Sequence, residues 1–286
     1  MEALQALIPA VLTVSLALLI VAVGLDAELD ELTSAFRQPG RLVRAVLAVN
    51  VAVPLAAVAV VQFLPLSPIA KAGILLMAVS PVPPLVPGKG IKVGASKASA
   101  YGVYAALILL AIVIVPVTVV LLGRAYGVDV VLPPAVVARN VALTVLAPLV
   151  LGLAVRRLAP RFAAQAVAPL RIVGVILVFA AFVPMMIGVW PVMMELIGNG
   201  TILAMALVSA VALAVGHLLG GPALEDRAGL AMTAATRHPG IAMMIVSLNQ
   251  ADRRIVAAIL GFLLVGLVVA LPYQLWLKRQ TPAAAT

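Results

Sequence analysis

Two short segments hold residue types that do not belong in their surroundings. Ser80-Pro81-Val82-Pro83-Pro84-Leu85-Val86-Pro87-Gly88-Lys89 interrupts one long apolar run, and Thr236-Arg237-His238-Pro239-Gly240 interrupts another. Proline lacks a backbone donor and holds the residue before it out of the helical region, so each run must unwind there. An unwound backbone at membrane depth survives only where it lines a cavity or a site. The chemistry on offer is recognition of a charged solute rather than bond making. Arg237 supplies a fixed positive charge and His238 a ring that titrates near neutrality. Thr236 and Ser80 supply hydroxyls. Pro83, Pro84, Pro87, Gly88, Pro239 and Gly240 mark where the backbone opens. A charged side chain at the bilayer centre costs roughly 2.5–3.5 kcal/mol or more, so Arg237 reads as a built-in counter-ion for an anion. The plainer reading has it bracing carbonyls freed by the break. His238 likewise has two readings, a proton carrier or a neutral ring hydrogen-bonded within the break. Lys89, Lys92 and Lys97 read first as topology charges, and second as a basic entrance for anions.

Composition sets the surroundings of these segments. The chain is 65% hydrophobic and 10% charged, whereas a soluble domain is about 25% charged. It is expected to be an integral membrane protein, with the lipid bilayer as its solvent. The formal charge of +9 is scattered over short loops and builds no basic face, which argues against nucleic acid as a partner. Cysteine is missing from the sequence and histidine occurs twice, so thiolate and mixed metal sites are not expected. An enzyme of the bilayer would carry Ser/His, paired Asp or His/Glu sets on facing helices. None is legible, and the protein is read as a non-enzyme without a cofactor, beyond Na+ or H+ as a coupling ion. A cation/proton antiporter needs a carboxylate near the breaks, and none of the acidic residues lies there.

Nine apolar stretches must position the two segments: 4–25, 42–64, 69–87, 99–123, 134–155, 168–190, 201–220, 228–249 and 255–277. Each approaches the ~20 residues that cross the hydrocarbon as a helix. The expected fold is an all-α polytopic membrane protein with nine transmembrane helices. The first run follows Glu2 without a positive leader and is read as a retained span. With the N-terminus outside, most lysines and arginines fall in inner loops (Arg37, Arg41, Arg156, Arg157 and Arg161 among them), which puts the C-terminus in the cytoplasm. Residues 26–39 form an amphipathic piece, with Leu29, Leu32 and Phe36 at helical spacing, expected as an interface helix. His217 reads as a packing residue. Overlaying spans one to four on six to nine in opposite orientation pairs the two broken spans, the pattern of inverted repeats.

The chain resembles the bile acid:sodium symporter family, as a divergent bacterial-type member. The likeness rests on Gly24-Leu25, Phe36-Arg37-Gln38-Pro39, Asn50 and Pro54, on Ser80-Pro81 closing an apolar run, and on 236–240 at the place of a second polar motif. It implies that the two broken helices cross, within a core domain (69–123 and 201–277) that moves against panel helices (4–64 and 168–190). It also implies symport of sodium with a small organic anion by alternating access in the inner membrane, all in one transmembrane domain over 1–286. Proton-coupled or uncoupled transport stands as the alternative. Arg237, His238, Thr236, Asn50 and Ser80 are then the substrate positions. Thr233, Thr236, Val86 and Pro87 fall at the family's ion positions. Here the chain departs from the pattern. Thr233 stands where the family has a glutamate, Val86 and Pro87 offer no side-chain oxygen, and Arg237 brings a cation.

Overall fold

A computed structural model describes residues 2–280, and among them the regular structure is helical throughout. The chain ends to which the orientation refers, Met1 and residues 281–286, lie outside the described residues. We number the helices α1 (Glu2–Asp26), α2 (Leu29–Thr33), α3 (Pro39–Phe63), α4 (Pro68–Val79), α5 (Val86–Lys92), α6 (Lys97–Ala125), α7 (Pro134–Leu158), α8 (Pro160–Glu195), α9 (Thr201–Leu219), α10 (Leu224–Ala235), α11 (Pro239–Leu248) and α12 (Arg254–Gln280). Six of them, α3, α6, α7, α8, α9 and α12, are long and apolar enough to cross a membrane. Proline opens α3, α4, α7, α8 and α11. It suits the first turn because its missing N–H would go unused there. Ser67 and Ser96 cap α4 and α6 by accepting from Ala70 N and Ser99 N at 3.2 and 3.1 Å.

The helices form two groups. Helix α1 packs along α7 and α8. Its closest approach is at Gly24 and Gly152, where a Cβ on either residue would sit 2.4 Å from a backbone oxygen of the other helix. Small residues allow backbones to touch where lipid gives no hydrophobic drive for helix association. The second group contains α3 to α6 and α9 to α12. There α3 turns its small buried face (Ala45, Ala48, Val53, Ala57) to α4 and α9. The division drawn from the sequence placed 4–64 with 168–190. In the packing, α3 lies against α4 and α9, and α7 lies against α1.

Outward surfaces are apolar. Ile172, Ile176, Phe179, Val183 and Ile187 make an exposed stripe along α8. In water that stripe would be an aggregation liability, whereas acyl chains cover it at no cost. The protein is a multi-pass membrane protein.

Polar ties close the two ends. At one, Asp26 accepts from Lys97, Tyr101 and Arg171 (the last at 2.8 Å), and Arg156 donates to the carbonyl of Asp26 and, at 2.8 Å, to Glu28. This single carboxylate joins α1 and α8 to α6. At the other end, Asn249 accepts from Val131 N at 2.7 Å and donates to Val131 O at 3.0 Å. The expected interface helix is shorter than its spacing implied. It covers Leu29–Thr33 and buries Leu32, while Leu29 and Phe36 stay exposed. It is held by the Glu28–Glu31 capping box and by Ser34, whose hydroxyl donates to Ala98 O at 2.6 Å.

Candidate anion site at the helix breaks

Helix α4 stops at Val79. Ser80 follows with ψ near 145°, the extended backbone required before Pro81. Prolines at 83 and 84 lack N–H groups, so the carbonyls of Val79 and Ser80 lose the donors a continuing helix would give them. Helix α10 stops at Ala235, and Thr236 and His238 are both extended before Pro239 starts α11. The two openings meet. His238 N donates to Pro81 O at 2.9 Å, and Arg237 Nη1 donates to Ser80 O at 3.3 Å. On either side of this contact α5 packs on α10, and α4 on α11.

Arg237 is 3% exposed. Its Nη2 donates to Val49 O at 2.8 Å. That carbonyl is free for a local reason: residues 47–52 of α3 form a π-helical turn, in which Val53 N–H bonds to Ala48 O. The next residue, Pro54, has no N–H to offer Val49. Two segments, the end of α4 and the π-helical turn of α3, thus present backbone acceptors to one guanidinium. Its Nε has no partner, and no carboxylate pairs with Arg237 among the described residues. Carbonyl dipoles orient the charge but leave it uncompensated, and an unpaired buried charge is strongly unfavourable.

A cavity beside Arg237 is lined by Lys89, Thr236, Met77, Met232, Phe262 and Leu263, among others. Its wall on α12 is apolar, while the side toward the breaks is cationic. The cavity thus joins a cationic side to an apolar one.

The other residues singled out in the sequence have more local roles. His238 Nδ1 accepts from Gly240 N at 3.0 Å and so caps α11. That bond requires Nδ1 to be unprotonated. Gly240 keeps its place because a Cβ there would lie 2.7 Å from the His238 ring. The Ser80 and Thr236 hydroxyls donate back to Leu76 O and Met232 O, both at 2.7 Å. Pro83, Pro84 and Pro87 are buried, and Gly88 is half-buried at the start of α5. Asn50 makes no hydrogen bond to the crossing among the described residues; the backbone of Val49 does so in its place. His217 sits against Tyr273, Nδ1 to hydroxyl 2.8 Å, with its ring edge-on to Tyr273 and Trp276.

Thr236 lines the first cavity, while three of the four expected ion positions meet in a second, on the side of α3, α6 and α9. Thr233, Val86 and Pro87 line it together with Asp226 and Arg41. Thr233 Oγ1 donates to Gly229 O at 2.8 Å, and Asp226 is engaged by Arg41. Sodium needs several hard oxygens, usually with a free negative charge. This lining does not provide them, and among the described residues no His, Cys, Asp and Glu cluster could hold a metal.

A family model, the sodium bile acid symporter family, matches residues 13–196. The chain belongs to that family. Membership places it among membrane transporters, and it accounts for the first break, Asn50 and Pro54 falling within the matched region. The second break, which brings Arg237, lies beyond it. Among curated proteins, none matches this member of the sodium bile acid symporter family.

Sequence reasoning reached Arg237 through its type and its neighbours. It missed Val49, whose contribution is a carbonyl, and undervalued Lys89, which shares the cavity with Arg237. The signal for Val49 was present in Pro54, which deprives a carbonyl of its donor.

Proposed function

We propose that the protein is a secondary transporter that moves a small organic anion across the cell membrane by alternating access, with no sodium bound. The observation that carries this is Arg237: a buried guanidinium, held by carbonyls from two segments, beside a cavity without a carboxylate. A fixed cation at the crossing supplies the positive potential that a bound sodium ion would otherwise bring to an anion. The Thr233 cavity, poor in free oxygens, agrees with that exchange. His238, serving as a helix cap through Nδ1, is a poor proton carrier, which favours uncoupled transport over proton coupling.

Nine crossings fit the helices if α4 with α5, and α10 with α11, each count as one broken span. The two broken spans then occupy matching places in inverted repeats. Loops 26–39, 92–97 and 156–160 lie at the Asp26 end and carry Arg37, Lys92, Lys97, Arg156 and Arg157, in line with an inner face and an outer N-terminus. In this reading α3 to α6 and α9 to α12 move as one body against α1, α7 and α8. No step in it makes or breaks a covalent bond, so the protein is not an enzyme.

Reconstituted vesicles test it. Uptake of labelled organic anions, carboxylates and sulfonates alike, should proceed equally when external sodium is replaced by potassium. A sodium requirement would overturn the uncoupled reading. Failure to move any such anion would overturn transport itself.

A further inference from the structure

Lys89 has so far been only a lining residue, and its surroundings are unusual. It lies on α5, half-buried, and lines the same cavity as Arg237 and Thr236. Neither Lys89 nor Arg237 belongs to an ion pair among the described residues. Other basic groups with buried or partly buried neighbours do find acids: Arg41 meets Asp226, and Lys97 and Arg171 meet Asp26. The Lys89 cavity has no acidic residue in its lining. Two cations therefore face one small apolar-walled space, with the Arg237 Nε donor buried and unused. Like charges repel strongly where water is scarce, and a monoanion would neutralise only one of them.

We infer that this site selects a solute with two negative charges, Arg237 taking one and Lys89 the other. The inference rests on the organic-anion reading and narrows its substrate class to dianions with a short carbon frame. Thr236 also lines the cavity, but its hydroxyl hydrogen is committed to Met232 O, so it offers no donor to the solute. The apolar residues Phe262, Leu263 and Leu267 leave the carbon frame as the only part of the solute they can contact favourably.

Succinate and butyrate, equal in chain length and different in charge, separate the possibilities. Equilibrium binding of each to the full-length protein in lipid nanodiscs should show succinate held about tenfold or more tighter, the worth of one added charged contact. Lys89→Gln should abolish that preference, and Lys89→Arg should retain it, which distinguishes lost charge from lost folding. Equal wild-type affinities, or a Lys89→Gln protein that still prefers succinate, would overturn the inference while leaving anion transport standing. Binding of neither probe would remove the parent reading along with this one.

Discussion

Helices α3 and α7 contain the same local device and use it differently. In each, a π-helical turn runs into a proline: residues 47–52 before Pro54, and 142–146 before Pro148. In each, the residue ahead of the proline bonds five positions back, to Ala48 O or Ala142 O, which leaves the next carbonyl without a helical donor. In α3 that carbonyl, on Val49, receives Arg237. In α7 it belongs to Leu143, an exposed residue, and no side chain among those described reaches it. The local sequence creates an open acceptor, and the neighbouring helix decides whether it becomes part of a site. The same contrast separates the two helix groups as wholes. The group of α1, α7 and α8 is joined by close backbone contact at Gly24 and Gly152, with its polar ties at one end. The group around the breaks keeps unpaired polar atoms and a charge in its middle.

Five substitutions test this contrast. The largest effect is expected from Arg237→Gln. Loss of a charged donor should lower vesicle uptake of an organic anion by roughly 10- to 100-fold. If the residue only braced the crossing, the thermal midpoint would fall as steeply as transport. Gly152→Leu should act in the opposite sense, damaging stability before function. Overpacking costs about 1–3 kcal/mol, and here the obstruction is backbone at 2.4 Å, which cannot rotate away. An unchanged thermal midpoint in detergent would show that α1 and α7 do not depend on that contact. Asp26→Asn removes the negative charge that pairs with Lys97 and Arg171 and one of the two acceptor oxygens they use, and should cost about 1–3 kcal/mol. Raised cysteine cross-linking or protease access at residues 26–39 would report the loosened end, and unaltered access would argue against the tie. The smallest effect is the most specific. Pro54→Ala restores an N–H in α3 and should weaken the Arg237 contact by about 1 kcal/mol, lowering uptake several-fold less than Arg237→Gln. Pro148→Ala should leave uptake unchanged, and equal losses from the two substitutions would erase the distinction drawn here.

Much of this was legible in the sequence where covalent geometry dictates structure. The prolines at 81, 83, 84 and 239 admit no continuous helix, and the helices do end at Val79 and Ala235. Arg237 stood out because a guanidinium in an apolar run needs a reason. Contributions made through the backbone were harder to see. Asn50 drew attention by its amide, yet its neighbour Val49 makes the contact. Residues joined across long sequence distances were harder still. Lys97, Arg156 and the acids near 26 looked like topology charges and helix-end acids. Lys97 reaches the Asp26 carboxylate and Arg156 the Asp26 carbonyl and Glu28 only because α1, α6, α7 and α8 come together there. Gly24 and Gly152 gave no sign of being partners.

The Val49 carbonyl has a consequence for genetics. Any amino acid except proline can stand at position 49 and still present that oxygen, provided its side chain fits the buried face of α3. A saturation screen would accordingly record tolerance to small apolar residues at 49 and selection at 54, five residues away. A map of sensitive positions would draw the edge of the site around a proline that touches no solute, and pass over the atom that does the holding.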